Sequence, residues 1–126
     1  MDDKRKVLMY ETDQYLVDMY KINFKKAGFK LLHYNKTSKN LVKQVIKINP
    51  DIISMDLMIE EIDGFKSIQM LKNDEKTKNI PIVILSNLGQ DDDFKQGEEL
   101  GAVKYLIKAK YTPKQIVNEF KAIIIK

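Results

Sequence analysis

The sequence predicts an α/β domain on a mainly parallel sheet, with five strands alternating with five helices. Three observations predict it. Short runs of consecutive apolar residues recur along the chain, as expected of strands buried on both faces. Each run is followed by a stretch whose apolar residues fall three and four apart, the helical period. The junctions between them are short and carry caps, glycines and prolines. Strict alternation of this kind calls for parallel neighbours joined by right-handed crossovers.

Val7-Leu8-Met9-Tyr10 runs into Glu11 and reads as the first strand. Thr12 or Asp13 caps the helix that follows, with Leu16, Val17, Tyr20, Phe24 and Ala27 on one face and Gly28 as its stop. Phe29 to Tyr34 is the second strand. Thr37 or Ser38 starts the second helix, whose stripe is Leu41, Val42, Val45 and Ile48 and which ends at Asn49-Pro50. Ile52 to Asp56 is the third strand, and Gly64 opens a third helix carrying Phe65, Ile68 and Leu71. Lys72 to Asn79 is polar and loop-like. Ile80 to Ser86 is the fourth strand, with Pro81 near its start, where a missing donor costs least. Asp91 to Leu100 is an acidic helix, its aspartates complementing the helix dipole, closed by Gly101. Val103 to Ile107 is the fifth strand and ends at Lys108. Thr112-Pro113-Lys114-Gln115 opens the last helix with a threonine cap, a proline in the first turn and a glutamine three residues past the cap. That helix carries Ile116, Val117, Phe120 and Ile123 or Ile124. No repeat, linker or low-complexity tract divides the chain, so residues 1–126 are expected to form one domain.

Parallel strands point their C-terminal ends to one edge of the sheet, the edge where open α/β sheets bind ligands. Four sequence-distant sites meet there: Glu11-Thr12-Asp13, Asp56, Ser86 and Lys108. Acids, hydroxyl and ammonium in one place suggest phosphoryl transfer to a carboxylate. Two or more acids can hold a hard divalent cation such as Mg2+, while the cation and Lys108 neutralise the transferring group. A carboxylate oxygen is a competent nucleophile and gives an acyl phosphate. Ser86 can donate to a phosphoryl oxygen.

Composition narrows the alternatives. The chain has no cysteine and one histidine, His33, which excludes thiol nucleophiles, zinc-thiolate sites and multi-histidine metal sites. His33 itself reads as an exposed strand residue with no partner. The net charge of +4 is mild and the lysines run along the whole chain without interleaved aromatics, so direct nucleic-acid binding is not expected. The start of the chain, Met1 to Lys6, is charged and is not a signal peptide. No apolar run approaches the ~18 residues of a membrane span. A cytoplasmic protein is expected.

These residues, in this order and spacing, resemble the receiver domain of two-component response regulators, of the chemotaxis-type single-domain kind. The resemblance covers essentially the whole chain. It rests on the acidic turn after the first strand, Pro50-Asp51, Asp56, Met58, Asp63-Gly64, Ser86, Gly101-Ala102, Tyr105 and Lys108. It implies a doubly wound, flavodoxin-like fold of strand order 2-1-3-4-5. It also implies that a histidine kinase or phosphotransfer protein phosphorylates Asp56, with Mg2+ held by Glu11, Asp56 and the main-chain carbonyl of Met58. Ser86 and Tyr105 would then act as switch residues. They would reshape a face of helix 4, strand 5 and helix 5 for a downstream protein, in a monomer or a phosphorylation-dependent dimer. Such a domain catalyses only its own phosphorylation and dephosphorylation.

The chain departs from the family pattern at four places. Thr12 stands where a second metal-ligating acid is usual, and its neutral hydroxyl is a poorer Mg2+ ligand, so weaker metal binding is expected. Glu60 replaces a proline, and Asn87 replaces a small residue after Ser86. Ala109 replaces the proline after Lys108, so the Lys108–Ala109 bond is expected to be trans. These departures motivate a second reading, a pseudo-receiver that binds partners without phosphorylation. A haloacid-dehalogenase-type phosphatase would need a second acid where Met58 stands. A nucleotide or flavin carrier would need a Gly- or Ser/Thr-rich loop where Glu11-Thr12-Asp13-Gln14 stands.

Overall fold

The computed structural model describes residues 4–125. Met1 to Asp3, part of the charged start on which the signal-peptide reading rests, lie outside the described residues. The elements follow the predicted order: β1 (Arg5–Tyr10), α1 (Gln14–Lys26), β2 (Phe29–Tyr34), α2 (Leu41–Ile48), β3 (Ile52–Met55), α3 (Gly64–Lys72), β4 (Ile82–Ser86), α4 (Asp91–Glu99), β5 (Lys104–Ile107) and α5 (Pro113–Ile124). The strands form one all-parallel sheet in the order β2-β1-β3-β4-β5. The order reverses between β1 and β3, so the crevice for ligands lies at the C-terminal ends of those two strands.

Side chains alternate across the sheet, and the core divides accordingly. Val7 and Met9 of β1 join Ile52, Val83 and Leu85 beneath α1 and α5. There Val17, Tyr20 and Phe24 meet Ile116, Val117 and Phe120, with the Phe24 and Phe120 rings edge-on at 5.5 Å. Leu8 and Tyr10 join Ile53, Met55, Ile82 and Ile84 on the other face, covered by Leu41 and Val45 of α2 and Ile68 and Leu71 of α3. The central strands β3 and β4 are buried at every position, which is why their sequences run apolar without alternation.

The caps resolve several alternatives. Asp13, not Thr12, caps α1 by accepting from the Leu16 N–H. Asp63 caps α3, and Thr112 and Gln115 form a reciprocal capping box on α5. The fourth and fifth strands begin one or two residues later than predicted, and Lys108–Lys110 form a 3-10 turn that the sequence did not signal.

The start of the second helix is a correction. α2 begins at Leu41, and Thr37 belongs to no helix. Thr37 is fully buried and fastens the loop after β3. Its N–H donates to the Glu60 carbonyl at 2.5 Å and its carbonyl accepts from the Glu61 N–H at 3.0 Å. Its hydroxyl donates to the Ile62 carbonyl at 2.5 Å and accepts from the Ile62 N–H at 2.9 Å. Thr37→Val, which keeps the shape but removes the hydroxyl, is expected to leave Ile62 underbonded and lower stability by about 2 kcal/mol. Urea unfolding would measure this, with Thr37→Ser staying close to wild type. Equal stability in the valine variant would show that the hydroxyl's bonds to Ile62 add nothing net to the fold.

Residues 19–50 carry eight lysines and no Asp or Glu, so the charge is less evenly spread than the lysines alone suggest. This stretch includes β2, which lies at one edge of the sheet. Lysines beside an open strand edge oppose edge-to-edge pairing between molecules.

Candidate functional site

β1 delivers Glu11, β3 delivers Asp56, β4 delivers Ser86 and β5 delivers Lys108, each at or just past the strand's C-terminal end. The ladder continues one step beyond the strands: the Asp56 N–H donates to the Tyr10 carbonyl and the Glu11 N–H to the Tyr34 carbonyl, both at 3.1 Å. These bonds fix the main chain of both acids. Glu11, Asp56 and Ser86 are all buried.

Lys108 joins the two acids. Its Nζ lies 2.9 Å from Asp56 Oδ2 and 2.9 and 3.2 Å from the two Glu11 oxygens. The other Asp56 oxygen, Oδ1, accepts from Ser86 Oγ and from the Met58 N–H, each at 3.1 Å. Glu11 Oε2 also accepts from the Asp13 N–H at 3.0 Å. Burial works against the Lys108 charge, but the bonds to Asp56 and Glu11 outweigh it and hold the ammonium above its ordinary pKa. Burial pushes the Glu11 carboxyl up, against the lowering effect of Lys108 and the Asp13 N–H.

Of the sequence-predicted residues, Asp56, Glu11, Ser86 and Lys108 form this cluster. Thr12 is exposed. Met58 takes part through its main chain, while its side chain is 64% exposed. Tyr105 is held by partners other than these acids. Its hydroxyl donates to the Leu88 carbonyl, and its ring packs on Phe94 with centroids 4.5 Å apart. Burial, then the charges of Asp93 and Asp56, push its pKa up to about 12.

Two residues have roles that the sequence did not reveal. His33 is half-buried, not exposed, and its Nε2 bonds the Glu11 main-chain carbonyl at 2.7 Å. It therefore fixes the start of the acidic turn. The pairing of β1 with β2, which sets His33 beside Met9, brings it to Glu11, and no pattern in the sequence signals that contact. Gly64 lies so close to the acid that a Cβ there would stand 2.4 Å from the Asp56 carbonyl oxygen and 2.6 Å from Leu57 Cα. Its N–H bonds the Leu57 carbonyl.

Hard oxygen donors suit Mg2+ or Mn2+, and here they are the Glu11 and Asp56 carboxylates. All four of their oxygens already accept hydrogen bonds from Lys108, Ser86 and main-chain N–H groups. Among the described residues no group of three His, Cys, Asp or Glu side chains is placed to hold a metal. The donor set therefore fits a cation through two carboxylates, in competition with Lys108.

Residues 7–121 match the family model for the response regulator receiver domain. The DNA-binding dual master transcriptional regulator RpaA of Synechocystis sp. is 36% identical over 103 residues, 82% of this chain and 42% of that protein. The chain spans about half the length, or less, of the curated relatives it matches. Among solved structures, the BeF3-activated N-terminal receiver domain of RstA from Klebsiella pneumoniae superposes with a TM-score of 0.84 at 19% identity, over 97% of this chain and all of that one. The manganese-bound form of a response regulator superposes with a TM-score of 0.80 at 18% identity, over 97% of this chain and 96% of that one. At these identities the structures establish the fold.

Proposed function

This chain belongs to the response regulator receiver domain family, and from that premise we propose that Asp56 is its phosphoacceptor. Receiver domains partner with histidine kinases and typically bind Mg2+; they are not a family of ordinary enzymes. The observation that carries the reading is the convergence on one buried carboxylate of Lys108 Nζ at 2.9 Å and Ser86 Oγ at 3.1 Å. A carboxylate so placed has a cationic partner and a hydroxyl donor set for charge that develops on a transferring group.

An Asp56 oxygen attacks the phosphorus of a phosphohistidine on the kinase. The new P–O bond forms as the P–N bond breaks, and the electron pair leaves with the imidazole. Lys108 and Ser86 then turn from the carboxylate to the phosphoryl oxygens. Glu11, Asp56 and the Met58 carbonyl would hold Mg2+, which supplies further neutralisation of the phosphoryl charge. Thr12 adds no charge to that set. The new charge on Asp56 biases Ser86 and Tyr105 and so the face of α4, β5 and α5, which a downstream protein reads. On this reading residues 1–126 form one receiver domain, cytoplasmic, a monomer or phosphorylation-dependent dimer, without direct nucleic-acid contact. Among the described residues no helix is long and apolar enough to cross a membrane.

The test is incubation with acetyl phosphate and Mg2+, read by intact mass. Wild type is expected to gain one phosphoryl group that is lost in base, and Asp56→Asn to gain none. Equal gain by the asparagine variant would move the acceptor elsewhere. The pseudo-receiver reading draws on one observation, the full occupation of both carboxylates by Lys108 and other donors. A Mg2+ titration that shows no saturation, with no phosphoryl uptake, would favour it.

A further inference from the structure

Ser86 and Lys108 close on Asp56 from neighbouring strands, and each is followed at once by a residue of one hydrogen bond. Asn87, directly after Ser86, accepts through Oδ1 from the Ala109 N–H, directly after Lys108, at 3.1 Å. The strand pairing of β4 and β5 ends at Ser86 opposite Ile107. The Asn87–Ala109 bond is therefore the next tie between the two segments. The Ala109 N–H lies in the first turn of the 3-10 helix Lys108–Lys110, where N–H groups have no partner within the helix. It exists as a donor because residue 109 is not proline, and the Lys108–Ala109 bond is trans, as expected.

Lys108 reaches Asp56 through a flexible four-carbon stem. Where its Nζ can go depends on where its Cα is held. Asn87 and Ala109 are both exposed, so their bond adds little to the stability of the fold. Its consequence lies in geometry: it sets the spacing between the main chain carrying Ser86 and the main chain carrying Lys108.

We propose that Asn87 is a positioning residue, which holds Lys108 and Ser86 in register on the phosphoryl group through its bond to the Ala109 N–H. This rests on the phosphoacceptor reading of Asp56. The experiment is a double-mutant cycle on the full chain: Asn87→Ala, Ala109→Pro and the two together, with Ala109→Ser as the control that keeps the N–H. The rate of phosphoryl uptake from acetyl phosphate with Mg2+, the thermal unfolding midpoint and the order of the Lys108 Nζ by 15N NMR are measured for each. Asn87→Ala and Ala109→Pro are each expected to slow uptake by about fivefold, and the double variant to be no slower than either. Ala109→Ser is expected to match wild type, all unfolding midpoints to stay close together, and Lys108 Nζ to be more mobile wherever the bond is lost. Additive losses, or an unchanged rate in Asn87→Ala, would overturn the proposal. If wild type itself takes up no phosphoryl group, the phosphoacceptor reading fails. The Lys108 order then decides the positioning role alone, and equal order in wild type and Asn87→Ala would end it.

Discussion

Replacing Lys108 by methionine is expected to slow phosphoryl uptake on Asp56 by about 100- to 1,000-fold, the usual loss when one pre-placed charge-stabilising donor is removed. The same change is expected to cost about 3 kcal/mol of stability near neutral pH, because it leaves two buried carboxylates without their shared cation. Lys108 is 9% exposed, Glu11 1% and Asp56 3%, so solvent screens this loss little. The pH dependence has a definite sign. Lys108 has a raised pKa in the folded state, so its stabilisation is fully present below the ordinary lysine range and is lost as pH rises through the raised value. Wild type should therefore weaken in strong base through this group, and the methionine variant should not. Glu11 also has a raised pKa, by burial, so the folded state binds its proton more tightly than the unfolded chain does. Its effect is that stability rises as pH falls through the raised carboxylate value. With the ammonium gone that rise should be larger, and the variant should recover part of its deficit as pH falls through the raised carboxylate value. Urea unfolding of both proteins across pH checks this. A deficit that is constant with pH would mean that lost packing of the lysine stem, not unpaired charge, is responsible.

Gly64→Ala is expected to have an effect of similar size by a different route. The added methyl would meet the Asp56 carbonyl oxygen and Leu57 Cα, both main-chain atoms. No side-chain rotation relieves such a contact, so either α3 moves out or the chain at Asp56 shifts. Overpacking of this kind costs about 3 kcal/mol, and either shift disturbs the Met58 N–H and Ser86 bonds to Asp56. Lower thermal stability together with slowed phosphoryl uptake is expected. An alanine variant with the wild-type midpoint and rate would show that the loop yields freely, and would remove Gly64 from the set of residues that place the acceptor.

Asp63-Gly64 shows how far the sequence could be read. Gly64 reads as the start of a helix and the pair as part of a family resemblance, and the structure makes Asp63 the cap of α3. That Gly64 is required by its approach to the Asp56 main chain was not visible, because the contact spans a loop whose path no local pattern fixes. Thr37 shows the same limit. A threonine before an apolar helical stripe looks like a cap, yet this one faces inward and fastens the loop after β3. Its partners are 23 to 25 residues away. His33, with no apparent partner in sequence, bonds a carbonyl on the neighbouring strand. Asn87 and Ala109, two separate departures from a family pattern, turn out to be the two ends of one bond.

The sequence by itself determined the elements, their order and the chemistry at their ends. Apolar runs, helical stripes and caps are local properties, and an alternating parallel sheet brings Glu11, Asp56, Ser86 and Lys108 to one edge whatever the details of the loops. Only the tertiary structure decided which oxygen of Asp56 meets Lys108, that the same ammonium also satisfies Glu11, and which loop residues hold these groups in place. Those contacts depend on a few ångströms of loop path, set by main-chain bonds and close approaches between segments far apart in the chain, and no spacing in the sequence encodes them.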